Sequence, residues 1–144
     1  MVEERLAGDA AHTLRMSVMR LNRRLRRERP DSGLSLTGIS ALGRVDRDGP
    51  ITAGQLAEAE GIQPQSVTRV VADLERRGLI ERLQDEVDRR RILLRVSDSG
   101  RELIAEDRRR RDEWLAVAMA ATLTPAEHDI LLVAARLIDQ LVDS

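Results

Sequence analysis

Residues 64–77 constrain this chain more than any other segment. Their apolar members, Val67, Val70, Val71 and Leu74, fall at i, i+3, i+4 and i+7, which is one buried stripe of a helix. Gln65, Ser66, Thr68, Arg69 and Asp73 project the other way. Pro64 suits a first helical turn, where its missing N–H is no loss, and Gly78 is placed to end the segment. Such a helix is gripped by one face and offers short polar groups on the other.

The flanking pattern predicts what grips it. Thr52-Ala53-Gly54-Gln55 has the capping-box form, Thr with Gln three residues later, so a short helix starts there and runs through Glu60, burying Leu56 and Ala57. Gly61 then permits a tight turn into Pro64. Upstream, Ser35 caps a helix over about 36–48 with Ile39 and Leu42 inward, closed by Gly49-Pro50. Downstream the period changes: residues 79–83 and 92–97 read as short strands, with Ile92, Leu94 and Val96 alternating with Leu93 and Arg95. Residues 84–91 form a polar hairpin tip ending in Arg89, Arg90 and Arg91. The expected fold is mainly α with a small β-hairpin wing (α+β), residues 35–97 being a winged helix-turn-helix.

Helices are expected on both sides of that unit. Leu14, Val18, Leu21 and Leu25 recur at steps of four, three and four over about 10–29. Ser97 caps a long helix carrying Leu103, Ile104, Trp114, Leu115 and Val117, and Thr124 caps a last one. The stripe of that last helix is Ile130, Ala134, Leu137 and Leu141, with Leu131, Ile138 and Val142 beside it. One small central domain cannot bury both outer stripes, so residues 1–34 and 98–144 are expected to form a helical dimerisation region of a homodimer.

Composition removes several function classes. Cysteine is absent, which excludes disulfides, thiolate nucleophiles and thiol redox sensing. His12 and His128 lie on different predicted helices, and no Ser-His-Asp order or phosphate-cradling glycine loop stands out. No enzyme, cofactor or metal site is expected. No apolar run is long enough for a membrane, and residues 1–9, with Glu3 and Glu4, lack a signal-peptide pattern; a cytoplasmic protein is expected. Trp114 is the only aromatic residue, which argues against stacking on single-stranded nucleic acid.

Duplex DNA fits the residues better. The major groove admits one helix, and its base edges carry a distinguishable donor and acceptor code. Gln65 can pair with adenine, Arg69 with guanine, and Ser66 and Thr68 with phosphate or either base. An Arg entering a narrow minor groove meets enhanced negative potential; Arg89 or Arg90 at the hairpin tip suits this, with Asp88 to orient the guanidinium. Residues 35–97 contain ten Arg and ten acidic residues, so the positive face rests on clustering, at Arg89–Arg91 and at Arg69, Arg76 and Arg77. Residues 10–34, with seven Arg against two acids, are expected to extend that face toward the phosphates. Arg108–Arg111 reads as a solvated face paired with Glu106, Asp107, Asp112 and Glu113. The neutral centre leaves one alternative, a dimeric winged-helix protein-interaction adaptor without DNA binding. Against it, the outward row lacks the aromatic or Met anchors of a docking surface.

These residues resemble the MarR family of multiple-antibiotic-resistance regulators. The matching pieces are Gly49-Pro50-Ile51-Thr52, Leu56-Ala57, residues 65–71, residues 74–82, Asp88-Arg89-Arg90, and residues 97–103. Together they span about half of the chain in one order and spacing. The resemblance implies an obligate dimer formed by the N- and C-terminal helices, placing two recognition helices and two wings on a pseudo-palindromic duplex. It implies a pairing of Asp88 with Arg90, the Arg entering the minor groove. It further implies a regulator, a repressor by the family's commoner mode, relieved by a small anionic or phenolic effector. Oxidant-sensing members use an N-terminal cysteine, which this chain lacks.

Overall fold

A computed structural model describes the backbone of residues 2–144 and side chains from residue 7 onward; Glu3 and Glu4 lie outside the described side chains. The elements are α1 (Val2–Arg26), α2 (Leu36–Asp48), β1 (Ile51–Thr52), α3 (Ala53–Glu60), α4 (Pro64–Arg76), β2 (Ile80–Gln84), β3 (Ile92–Val96), α5 (Asp98–Thr122) and α6 (Pro125–Val142). The chain divides into two compact units, Met1–Arg29 with Arg109–Ser144, and Pro30–Arg108.

In the Pro30–Arg108 unit, local chemistry starts and stops each helix. The Ser35 hydroxyl accepts the Gly38 N–H at 3.0 Å. Thr52 and Gln55 cap each other, the Thr52 N–H to Gln55 Oε1 at 2.9 Å and the Gln55 N–H to Thr52 Oγ1 at 3.1 Å. Gly61 takes the left-handed conformation at φ 63° and returns its N–H to Glu58, a geometry that favours glycine. The helices close over a three-stranded antiparallel sheet of order β1-β3-β2, in which Ile80 faces Val96 and Arg82 faces Leu94. Leu42, Val45, Leu56, Val71, Leu74 and Leu94 are the largest fully buried side chains. Ile104 joins the same core, so the first turns of α5 belong to this unit.

The fold matches the expected winged helix-turn-helix and differs in detail. β1 is not foreshadowed in the sequence, since two residues show no alternation; it exists through its pairing of Ile51 with Leu94 and Thr52 with Leu93. β3 stops at Val96 because the Ser97 N–H turns to Leu79 O at 3.0 Å and its hydroxyl accepts the Gly100 N–H at 3.1 Å. α1 starts earlier than the stripe suggested, since good helix formers extend a helix without an apolar face. Asp107, expected in a solvated face, is buried. Arg108 pairs with Asp46 at 3.1 Å and Arg109 with Glu113 at 2.5 Å.

In the other unit, Thr124 and Glu127 form a second capping box, with Pro125 at the first turn. The Arg24 guanidinium lies 4.1 Å above the centre of the Trp114 ring, within cation–π range. The outer stripes stay open: Leu14, Val18 and Leu21 are exposed, and Ile130, Leu137 and Leu141 are 64%, 53% and 63% exposed.

Thr124 donates its backbone N–H and hydroxyl to Glu127, which holds that carboxyl below its ordinary pKa. The folded-state value is depressed, so this contribution is present above the unfolded pKa and lost as pH falls through the folded one. Thr124→Ala is expected to lower the melting temperature by a few degrees at pH 7. The gap to wild type should narrow in melts run below about pH 4.

Candidate nucleic-acid interface

Val67, Val71 and Leu74 pin α4 to the core. At 3.6 residues per turn, the line opposite that stripe runs through Gln65, Arg69, Ala72 and Arg76, all exposed. Ser66 and Thr68 flank it, also exposed. Ala72 was not singled out by sequence; its i+3 step from Arg69 was the available signal.

The polar groups on this face are not equally available. The Thr68 hydroxyl donates to Pro64 O at 3.0 Å, so it presents lone pairs and a methyl outward rather than a proton for a phosphate. Asp73 binds both Arg76 and Arg77, the latter at 3.0 Å, and Arg77 also donates to Gly33 O at 3.1 Å. Arg82 is engaged by Glu75 at 2.8 Å. Of the three arginines that cluster in sequence, two thus share one carboxylate. The Arg69 side chain has no hydrogen bond or ion pair among the described residues. Asp73 at three and four residues before these arginines was a legible signal for this pairing.

The end of α4 is anchored. Gly78 turns at φ 71°, and its carbonyl accepts the Ser97 hydroxyl at 2.6 Å. With the Ser97 N–H on Leu79 O, this ties the exit of α4 to the start of α5.

The wing tip is built by two aspartates. Asp85 Oδ1 accepts the Val87 N–H at 2.9 Å. Asp88 Oδ1 accepts the Arg90 N–H at 3.1 Å and Arg90 Nε at 3.3 Å. One carboxylate therefore shapes the turn and aims the guanidinium, which is 93% exposed. Arg91 turns back to Asp85 at 3.6 Å. Arg89 is held through its carbonyl by Gln84 at 2.9 Å, and its guanidinium has no partner among the described residues. Arg47, in the last turn of α2, is likewise unpaired among them and was missed in the sequence for want of a pattern.

Among the described residues no group of three or more His, Asp or Glu is arranged to hold a metal ion, and no helix is long and apolar enough to cross a membrane.

The sequence profile of the MarR family matches residues 34–92. An HTH-type transcriptional regulator of Mycobacterium tuberculosis is 45% identical over 141 residues, covering 98% of this chain and 95% of the relative. A candidate transcriptional regulator of Pseudomonas aeruginosa, known as a crystal structure, is 34% identical, with a TM-score of 0.85 and coverage of 94% and 95%. A MarR family protein of Bacillus stearothermophilus shares the fold at TM-score 0.84 with 23% identity, over 98% of both chains. A MepR mutant of Staphylococcus aureus, solved bound to an oligodeoxyribonucleotide, has a TM-score of 0.66 at 21% identity, covering 93% and 96%. Kinship over nearly the whole length, with a winged helix-turn-helix in the Pro30–Arg108 unit, means that the chain belongs to the MarR family of transcriptional regulators.

Proposed function

We propose that this regulator acts as a cytoplasmic homodimer on a pseudo-palindromic DNA duplex, with α4 in the major groove and the wing in the minor groove. The observation that carries the reading is the outward line of α4, where the Arg69 side chain has no partner among the described residues while Arg76 and Arg77 share Asp73. In the major groove the Gln65 amide suits adenine, the Arg69 guanidinium suits guanine O6 and N7, and the Ala72 and Thr68 methyls suit thymine. Ser66 keeps a hydroxyl proton for a phosphate or base. Arg90, aimed by Asp88, is the minor-groove side chain, and Arg89 serves a neighbouring phosphate.

The open apolar stripes of α1 and α6 support the dimer, since covering them removes apolar surface from water at roughly 25 cal/mol per Å². Residues 1–34 and 98–144 are read as the region that supplies that interface and residues 35–97 as the DNA-binding domain, with the first turns of α5 packed into the core of the latter. Repression relieved by a small ligand is the mode the kinship favours.

Selection of bound duplexes from a random pool, repeated across salt concentrations, tests the proposal. An inverted repeat with half-sites about one helical turn apart is expected; no enrichment over random duplex would overturn it. Sedimentation at micromolar concentration should show a dimer, and a monomer would remove the basis for a symmetric site. Arg90→Ala is expected to weaken binding to the selected duplex by roughly tenfold with an unchanged melting temperature. Unchanged affinity would leave the Asp88–Arg90 pair as a turn-forming device.

A further inference from the structure

We propose that α1 carries a binding site for a small polyanion built of linked phosphate groups. Arg20, Arg23, Arg24 and Arg27, spaced i, i+3, i+4 and i+7, line a single groove of about 280 Å³. An adjoining groove of about 160 Å³ shares Arg23 and adds Met19, Asn22 and Arg26. Arg20 and Arg23 lie on the side of α1 away from the Leu14, Val18, Leu21 and Leu25 stripe, Arg24 flanks it, and Arg27 follows the end of the helix. Arg20, Arg23 and Arg27 are exposed, so a second copy seated on that stripe leaves these three accessible.

The row is electrostatically incomplete. Like charges three and four residues apart on a helix repel. Among the described residues one carboxylate answers them, Glu28, and it is taken by Arg24, which is also stacked on Trp114. Arg20, Arg23 and Arg27 have no side-chain hydrogen bond or ion pair among the described residues. The helix dipole favours cations in the last turn, where Arg23, Arg24 and Arg26 sit. It does not account for Arg20, further back, or for four guanidiniums meeting in one groove. A guanidinium fork matches phosphate oxygens. The row spans about 10 Å along the axis, too long for one carboxylate and suited to several linked phosphates.

Trp114 is the only tryptophan, and its contact with Arg24 makes it a reporter of the site. The test titrates the full-length protein, free of DNA, with inorganic tripolyphosphate, following Trp114 emission and heat, against sodium chloride at equal ionic strength. A saturable response at one equivalent per chain is expected. The Arg23→Gln/Arg27→Gln variant should bind roughly tenfold or more weakly, with circular dichroism and melting temperature unchanged. Three results would overturn the site: no saturable response, equal affinity in the variant, or a matching loss of duplex affinity, which would make the row a DNA-backbone contact. The titration contains no DNA, so its outcome is separable from that of the operator selection.

Discussion

Gly100→Ala is expected to destabilise the winged unit by about 3 kcal/mol, at the upper end of what overpacking costs. A Cβ at this position would lie 2.2 Å from Leu79 O and 2.8 Å from Val96 Cγ1, closer than real contacts allow. Neither neighbour yields easily. Leu79 O accepts the Ser97 N–H, and Val96 is in the core. Because Leu79 follows the exit turn of α4, relief by moving that strand would also displace the recognition helix. Urea denaturation followed by circular dichroism measures the effect. A loss under about 1 kcal/mol would show that α5 can slide at its start and that this anchor does little to hold α4.

Arg69→Ala is expected to cost about 1–3 kcal/mol in binding to the selected duplex, and to relax the preference at one position per half-site. Its melting temperature should match wild type, because Arg69 has no internal partner among the described residues to lose. Arg76→Ala should cost less, since Asp73 already holds that guanidinium. Affinities for the selected and a scrambled duplex, measured at one salt concentration, separate the roles. An equal loss on both would assign Arg69 to the backbone rather than to a base.

The recognition helix was legible because its signals agree. Pro64 marks the start, the valines define the inner face, and Gly78 marks the end. The capping box at Thr52 and the cap at Thr124 were equally plain, since each is a local exchange of hydrogen bonds among four residues. What escaped depends on distant partners. β1 is two residues that become a strand only against β3. Asp107 looks like one more surface charge in a charged run, yet the fold buries it. The candidate contact residues were placed on the outward face of α4 and at the wing tip. Which of them keeps a free group could not be read from residue type alone. Thr68 gives its proton to Pro64, whereas Arg69 gives nothing away.

The most direct measurement is methylation interference on the selected duplex. Guanine N7 lies in the major groove, and adenine N3 in the minor. Methylation of a guanine N7 in each half-site should block wild-type binding, and Arg69→Ala should lose that sensitivity while remaining sensitive to minor-groove methylation near the wing. Wild-type binding that tolerates every guanine N7 methyl group would contradict a recognition helix lodged in the major groove.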